Sequence, residues 1–336
     1  MITSAEVRAT AAHIAEWQHE SGLIPWFPGG HSDPWNHVEA AMALAIGGFR
    51  SEAEQAYQWL ADHQRDDGSW HQYYVGEAVE NDQLDANTIA YVATGVRHHF
   101  ACHLDRGFLE TMWPVIDASI EFVLALQQPR GEVLWARHLD GTAWPFALLT
   151  GSSSIAHSLR SALAIAEEIG VERPHWVDAR TRLVNAITRH PDTAFASKKR
   201  WAMDWYYPVL SGSISGTDGR AHLDARFETF ALDDKGIRCV NDRPWVTTAE
   251  TCECAMAYAS VGDVDRARQL FGAAQAFRQP DGRYRTGVVF PEEVTFPRDE
   301  CSTYSAAAVV LAADVLRGSG PTAAIFAPQV AKRAGG

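Results

Sequence analysis

Two kinds of predicted helix alternate along the chain, and this alternation limits the folds that the chain can adopt. A helix of the first kind, such as 51–65, has apolar residues on one face and charged residues on the other. A helix of the second kind, such as 300–316, is small, apolar and almost uncharged on all sides. Because the second kind has no face suited to water, we expect it to be buried beneath helices of the first kind.

Breaks at glycine, proline and short polar runs separate twelve predicted helices, and strand patterns are nearly absent. Six hairpins are too few for an open solenoid and close most simply into an all-α (α/α)6 barrel, with inner and outer rings of six helices. No linker divides the chain, so we expect a single domain over 1–336, with 318–336 as an irregular tail. The predicted helices span 4–20, 34–46, 51–65, 84–99, 105–127, 153–168, 174–190, 203–213, 217–231, 247–261, 263–278 and 300–316.

Composition narrows the class of partner. The formal net charge is −13, whereas nucleic acids and anionic membranes attract clusters of lysine and arginine. We therefore expect neither as a partner, and the sequence leaves the oligomeric state open. The five cysteines lack the spacing of a disulfide framework, and no signal peptide or membrane-length apolar run is present. These features predict a cytoplasmic protein with free thiols.

The beginnings of the inner helices carry most of the acidic and aromatic residues, and the predicted barrel gathers these beginnings at one end. For Asp33 and Asp85 the simplest interpretation is an N-cap stabilised by the helix dipole. Asp204 and Glu250 lie inside apolar, aromatic helices, where an unpaired carboxylate is unfavourable. Those two residues therefore require a partner or a function.

Carboxylates that converge with aromatic side chains are what glycoside hydrolysis requires: an acid for the leaving oxygen, a base for water, and ring faces for sugars. Motifs for nucleotide binding, zinc proteolysis and serine hydrolysis are missing, so we expect no cofactor and no metal. His157 follows three serines and fits a base or, more simply, a hydrogen-bonded core residue. The candidate substrate-binding residues are Asp33, Trp35, Asn36, Asp85, His157, Trp205, Tyr206, Arg243, Trp245 and Tyr304.

Long motifs distinguish this chain from a generic helical barrel. They are G-G-H-x-D-P-W-N-H-V-E-A-A-M-A-L from Gly29, A-L-L-T-G-S-S-S-I over 147–155, W-A-M-D-W-Y-Y-P-V-L over 201–210, C-V-x-D-R-P-W-V-T-x-A-E-T-C-E over 239–253 and F-P-x-x-E-x-S-T-Y-x-A-A-A-V-V-L-A-A over 296–313. Over nearly its full length the chain resembles an actinobacterial family often labelled prenyltransferase-like, which includes the hydrolase of mycobacterial methylmannose polysaccharide. The resemblance implies an endo-acting α-mannosidase.

The wider superfamily of six-hairpin barrels includes glucoamylase-like hydrolases, terpene cyclases and the β subunits of protein prenyltransferases. The acidic D-x-D-D motif of the cyclases is missing here. Asp299-Glu300-Cys301 resembles the zinc-binding D-x-C of the prenyltransferases, but no histidine follows His222 to complete their ligand set. The resemblance therefore favours the hydrolases, which invert the anomeric configuration, over zinc-dependent prenyl transfer.

The catalytic acid of the glucoamylase-like hydrolases lies in a W-E-x-R pattern before the sixth helix. The matching segment here, W-A-R at 135–137, has alanine in the place of that acid. Asp140, Asp204 and Glu250 are the available replacements.

The base of those hydrolases precedes the twelfth helix, which implies Glu300, with Glu292 and Glu293 as rivals. The sequence thus predicts an inverting glycosidase that acts within an α-mannose-type polysaccharide, with Asp204 or Glu250 as acid and Glu300 as base. The alternative is a barrel related to the terpene cyclases and prenyltransferases, or a non-catalytic polysaccharide-binding partner of a glycosyltransferase.

Overall fold

Helices dominate the structure, a computed structural model that describes residues 1–328 and 330. The helices are α1 (Ser4–Trp17), α2 (Pro34–Gly47), α3 (Arg50–His63), α4 (Ala86–Ala90), α5 (Val92–His103), α6 (Arg106–Leu124), α7 (Leu149–Ile169), α8 (Pro174–Arg189), α9 (Pro191–Ala194), α10 (Met203–Leu210), α11 (Gly216–Asp224), α12 (Phe227–Phe230), α13 (Thr248–Ser260), α14 (Val264–Ala274), α15 (Thr303–Arg317) and α16 (Pro321–Phe326).

Each of the twelve predicted helices is present, and two of them are divided. The predicted helix 84–99 appears as α4 and α5, which are separated only at Tyr91, where the backbone keeps right-handed helical angles. The predicted helix 217–231 appears as α11 and α12, because Arg226 leaves the helical region with φ −127° and ψ 9°. The pattern of apolar residues therefore located the helices, while local backbone geometry decided where they break.

The predicted irregular tail at 318–336 contains the helix α16. The backbone N–H of Thr322 donates to the carboxylate of Asp314 in α15 at 2.9 Å, which ties the two helices together. Residues 329 and 331–336 of that predicted tail lie outside the described residues.

Short strands occupy the loops and were not predicted, because two to four residues carry no detectable period. They are β1 (His31–Ser32), β2 (Tyr73–Val75), β3 (Ala78–Asn81), β4 (Leu84–Asp85), β5 (Ala136–Arg137), β6 (Ala231–Leu232), β7 (Gly236–Ile237), β8 (Trp245–Thr247), β9 (Gly287–Val289) and β10 (Val294–Thr295). They pair antiparallel as β1-β2-β3, β10-β9-β8, β4-β5 and β6-β7. Because β1, β4 and β8 lead into α2, α4 and α13, these pairings fix the loops that carry candidate site residues.

The chain folds into two compact units. The first unit comprises 1–18, 42–52 and the described residues from Lys199 onward. Within it, α13 packs against α10, α14 and α15, and α15 packs against α1 and α16. Every residue of α13 is buried, whereas α14 buries only the face that carries Ala267, Leu270, Phe271 and Ala274. The predicted contrast between fully buried and one-faced helices is therefore confirmed in this unit.

The second unit comprises 19–41 and 53–198. Within it, α7 packs against α4, α5, α6 and α8. All of α4 is buried, whereas α8 buries one face around Trp176 and Leu183. The same contrast between inner and outer helices is present here.

A recurring glutamine–glycine turn joins successive outer helices of the second unit. The side-chain amide of Gln64 donates to the carbonyls of Gly68 at 3.0 Å and Val115 in α6 at 2.9 Å. The amide of Gln127 donates in the same way to the carbonyl of Gly131 at 2.9 Å and to a carbonyl of α8 at 2.8 Å. Both turns thus make the same contact with the next outer helix.

Alanine substitutions in these turns are expected to separate backbone strain from steric contact. Gly68 and Gly131 have φ of +85° and +116°, and an added Cβ would lie 2.3 Å from a carbonyl oxygen of α6 or α8. Gly282, in a third turn, has φ +98° but no neighbour closer than 3.6 Å. Each alanine carries a backbone penalty of about 1–2 kcal/mol, and the clash adds about 1–3 kcal/mol at the first two sites.

We therefore expect Gly68→Ala and Gly131→Ala to lower the free energy of unfolding by about 3 kcal/mol, and Gly282→Ala by about half as much, in urea denaturation. Equal losses in all three variants would contradict the steric role of the turn.

Candidate active site

The second unit holds a group of buried carboxyls, here called the Glu39 cluster, which consists of Asp33, Trp35, Glu39, Asp85 and Tyr91. The three acids are each less than a tenth exposed. They reach this position from α2, from the strand β4 and from the beginning of α4. The cluster therefore concentrates acidic groups away from water, where their protonation is sensitive to the surroundings.

Asp33 is the N-cap of α2, as the sequence predicted. Its Oδ1 accepts the backbone N–H groups of Trp35 at 2.9 Å and Asn36 at 3.0 Å. Its Oδ2 accepts the indole N–H of Trp26 at 2.7 Å and the side-chain amide of Asn36 at 2.6 Å. Burial raises the pKa of Asp33 above its usual range, and these hydrogen bonds oppose that rise by stabilising the carboxylate.

Glu39 lies within α2, six residues after Asp33, and has a different environment. The Tyr91 hydroxyl donates to Oε1 at 2.9 Å, and the Trp35 indole N–H donates to the same oxygen at 3.2 Å. Burial raises the pKa of Glu39 to about 7, the two donors lower it, and the nearby charge of Asp33 raises it further. Because both donors bond Oε1, Oε2 is the atom left for a proton or a ligand.

Asp85 is the N-cap of α4, which again confirms the predicted cap. Its Oδ1 accepts the backbone N–H groups of Asn87 at 2.9 Å and Thr88 at 3.2 Å, and its Oδ2 accepts the indole N–H of Trp135. Burial raises the pKa of Asp85 to about 6, and the charge of Asp33 contributes to the rise. The charge of Asp33 therefore acts on both Glu39 and Asp85.

The first unit holds a second group, here called the Glu250 cluster, which consists of Tyr206, Thr247, Glu250, Glu253 and Tyr304. Both glutamates are buried in α13. The Thr247 hydroxyl donates to Oε2 of Glu250, and the Tyr206 hydroxyl donates to Oε2 of Glu253. Burial and the nearby Glu253, Glu250 and Tyr304 raise the pKa of Tyr206 well above its ordinary value, so Tyr206 remains a hydrogen-bond donor at neutral pH.

Glu300 and Trp245 are half-buried residues of the same unit. The Thr286 hydroxyl donates to Oε1 of Glu300 at 2.8 Å and lies 3.2 Å from the hydroxyl of Ser302, the N-cap of α15. The Trp245 indole N–H donates to the carbonyl of Phe296 at 3.0 Å, and the two rings meet edge to face. Glu300 is thus positioned by the start of α15.

Trp205 lies in the core and not at a surface, which corrects its proposed role in sugar stacking. Only 1% of the residue is exposed. Its ring stacks on Phe230 at 5.2 Å between centroids, and its N–H donates to the carbonyl of His222 at 3.3 Å. Its neighbours Asp204 and Tyr206 are also buried in α10. Tyr206 therefore presents its hydroxyl to Glu253 and has no open ring face.

The remaining predicted site residues range from fully buried to exposed. His157 is buried in α7. Asp140 lies in an exposed turn, where hydrogen bonds from Thr142 hold the pKa of its carboxyl below the usual range. A general acid needs a raised pKa instead. The other exposed candidates are Arg243, Glu292 and Glu293.

Glu39 and Glu253 were not predicted as candidate site residues, although the sequence carried a signal for Glu39. Glu39 is the one acidic residue of the helix 34–47, which is otherwise small and apolar. The reasoning that selected Asp204 and Glu250, that an isolated carboxylate in an apolar helix requires a partner, applies to Glu39 equally.

Among the described residues, no group of three or more histidine, cysteine, aspartate or glutamate side chains is arranged to hold a metal ion. Across residues 1–328 and 330, none of the helices combines the length and apolarity that a membrane span needs.

Comparisons with known proteins identify a curated relative. The chain is 47% identical over 326 residues to the MMP endo-(1,4)-3-O-methyl-α-D-mannosidase of Mycolicibacterium hassiacum, which covers 97% of this chain and 90% of the relative. No protein-family model matches the chain.

Solved structures of glycosidases resemble the fold at low sequence identity. A glycosidase in complex with glucose superimposes with a TM-score of 0.75 at 13% identity, covering 93% of this chain and 96% of that one. A GH63 mannosylglycerate hydrolase from Thermus thermophilus, also in complex with glucose, gives a TM-score of 0.69 at 12% identity, covering 91% and 99%. These similarities confirm the predicted all-α (α/α)6 barrel fold.

Ionisation of Glu39 is expected to make the free energy of unfolding depend on pH. Its pKa is about 7 in the folded chain and returns to the usual value of about 4.3 on unfolding. A carboxyl whose pKa is higher in the folded than in the unfolded chain stabilises the folded state. This stabilisation is fully present below the unfolded pKa and is lost as pH rises through the folded pKa.

Between about pH 4.3 and 8 the difference in unfolding free energy between wild type and Glu39→Gln should therefore shift in favour of the variant by up to about 3 kcal/mol. Urea denaturation across this range measures the shift, with Glu167→Gln on the exposed face of α7 as the control. A difference that stays constant with pH would contradict the raised pKa.

Proposed function

The chain belongs to the glycoside hydrolase family of the MMP endo-(1,4)-3-O-methyl-α-D-mannosidase, and from this we propose that it hydrolyses (1,4) linkages within a 3-O-methylated α-mannose polysaccharide. The observation that carries the proposal is the 47% identity over 97% of the chain. Each cluster of buried carboxyls, considered by itself, supports it, because glycoside hydrolysis uses carboxyl side chains as acid and base.

Glu39 is the proposed general acid. A general acid must be protonated at the working pH and must offer its proton to the leaving oxygen. The raised pKa of about 7 supplies the first property, and the arrangement of both donors on Oε1 leaves Oε2 for the second. Trp35 and Tyr91 hold the carboxyl in a fixed orientation, which limits the reorganisation needed for proton transfer.

The first unit holds the residues proposed from the sequence. Asp204 and Glu250 are alternatives to Glu39 as the acid, and Glu300 is the proposed base. Glu250 has the strongest support, because it is buried and its carboxylate is held by the Thr247 hydroxyl. Glu300 is half-buried and accepts a hydrogen bond from Thr286, so it retains lone pairs for a water molecule. The proposed mechanism is a two-carboxylate hydrolysis with inversion.

Substrate contacts are proposed for residues with partly open surfaces. The rings of Trp35 and Trp245 and the hydroxyl of Tyr304 are half-buried, so part of each is available to a sugar. Asn36 and Asp85 are also proposed contacts, although both are buried beside Asp33.

Purified protein is expected to shorten 3-O-methylated (1,4)-α-mannooligosaccharides into internal fragments, which mass spectrometry resolves. Inversion predicts that the new reducing ends appear first as β anomers, which proton NMR of a fresh digest detects before mutarotation. Initial α anomers would contradict inversion. Binding without any shortening would contradict the hydrolase and favour a non-catalytic binding partner.

Amide substitutions test the carboxyl assignments. Glu39→Gln and Glu250→Gln are each expected to lower kcat by about 10²–10⁴-fold, because the amides keep the shape and lose proton transfer. Asp204→Asn and Glu300→Gln test the remaining candidates, and Glu167→Gln is the control. A loss below tenfold for Glu39→Gln would remove it as the acid, and losses below tenfold in all four variants would contradict the two-carboxylate mechanism.

Tyr91→Phe provides a sharper test of Glu39. The Tyr91 hydroxyl stabilises the carboxylate, so its removal is expected to raise the pKa of Glu39 further. Because the acid form is active, the high-pH limb of the profile of kcat/KM should move to higher pH in this variant. If the high-pH limb does not move, it reflects the ionisation of a group other than Glu39.

A further inference from the structure

An open groove of about 800 Å³ lies on the second unit beside the hairpin formed by β2 and β3. Tyr73, Val79 and Leu139 contribute its apolar surface, and Glu80 and Asp82 contribute carboxylates. The groove combines exposed aliphatic groups with hydrogen-bond acceptors, which is the composition of a site for an amphipathic ligand.

The aliphatic side chains of the groove are unusually exposed. Val79 is 46% exposed and Leu139 is 49% exposed. Val79 lies in β3, and Leu139 lies in the turn before Thr142, so two separate segments place an apolar side chain in one groove. Apolar side chains that converge in a groove while remaining open to water are typical of a binding surface.

A network of hydrogen bonds connects the groove to the Glu39 cluster. Asn81, which lines the groove, accepts the backbone N–H of Gln83 at 3.0 Å. The side chain of Gln83 accepts the indole N–H of Trp144 at 2.9 Å. Trp144 contacts the ring of Trp135 at 5.2 Å between centroids, and Trp135 donates to Asp85. These contacts thus connect Asn81 in the groove to Asp85 in the Glu39 cluster.

A second series of contacts connects the groove to Asp33. The ring of Tyr73 lies 4.8 Å from that of His31, and His31 lies 4.5 Å from Trp26, which donates to Asp33. The charge of Asp33 also raises the pKa of Tyr73, after burial as the larger cause. Tyr73 in the groove is therefore connected to Asp33 in the Glu39 cluster.

We propose that this groove is the subsite that recognises the 3-O-methyl groups of the polysaccharide, with Val79 and Leu139 in contact with the methyl carbons and Glu80 and Asp82 accepting hydrogen bonds from free hydroxyls. This inference rests on the proposed function and specifies which surface selects the methylated substrate. The proposed ligand is a methylated sugar segment. A fully hydroxylated sugar would place a hydroxyl donor without an acceptor against the side chains of Val79 and Leu139.

Methylation changes two properties of the sugar that the groove distinguishes. The methyl ether loses the hydroxyl donor, and it adds an apolar group whose transfer from water is favourable. Each methyl contact is worth about a fourfold change in kcat/KM, so contacts at both positions give a preference of about 15-fold for the methylated substrate.

The test compares the ratio of kcat/KM for 3-O-methylated and unmethylated (1,4)-α-mannooligosaccharides of equal length. The variant Val79→Thr/Leu139→Gln replaces the apolar groups by polar groups of similar size. We expect this ratio to fall about 15-fold in the double variant, mainly because KM for the methylated substrate rises, and to fall about fourfold in each single variant. Val177→Thr is the matched control, because Val177 is a 53% exposed valine on α8 outside the groove.

The outcomes separate the subsite from the proposed function. Wild-type protein that cleaves neither substrate would contradict the hydrolase itself. A different result would overturn the subsite and leave the hydrolase intact. In that result the wild-type protein cleaves the methylated substrate, but the ratio of kcat/KM for the double variant stays within about twofold of the ratio for Val177→Thr. The single variants, each a surface change, give the same comparison if the double variant is poorly folded by circular dichroism.

Discussion

Carboxylates are buried at the beginnings of helices that otherwise carry almost no charge, and the arrangement of the second unit depends on how their desolvation is compensated. An ionised carboxylate without partners is strongly unfavourable inside a protein. Here each acid receives an indole N–H: Trp26 donates to Asp33, Trp35 to Glu39 and Trp135 to Asp85. Because indole is a donor without an acceptor, it can serve a carboxylate and cover it with an apolar ring at the same time.

This pairing changes the interpretation of the tryptophans. Of these three, only Trp35 was predicted to bind substrate, and its ring retains a partly open surface for a sugar. Yet its N–H also donates to Glu39, so the same side chain borders the surface available to a sugar and sets the environment of the proposed acid. In the first unit, hydroxyl groups replace indoles as the donors, from Thr247 to Glu250 and from Tyr206 to Glu253.

The difference between Asp33 and Glu39 illustrates how partners decide chemistry. Both are buried acids on the same segment, but Asp33 receives four hydrogen bonds on two oxygens, whereas Glu39 receives two on one oxygen. The fully bonded acid serves as a cap. The partly bonded acid retains an oxygen for proton transfer, and burial raises its pKa to about 7.

The sequence by itself determined the twelve predicted helices, the contrast between fully buried and one-faced helices, and the caps at Asp33 and Asp85, because apolar periodicity and capping are local properties of the chain. It did not determine the short helices α9 and α16. It did not separate Trp205, which is covered by Phe230, from Trp35, which is partly open, because exposure depends on neighbours from other segments. The protonation of the acids was likewise decided only by the tertiary structure. Tyr91 lies 52 residues from Glu39 and Trp135 lies 50 residues from Asp85, and the desolvation that raises a pKa exists only once such distant segments have packed around the carboxyl.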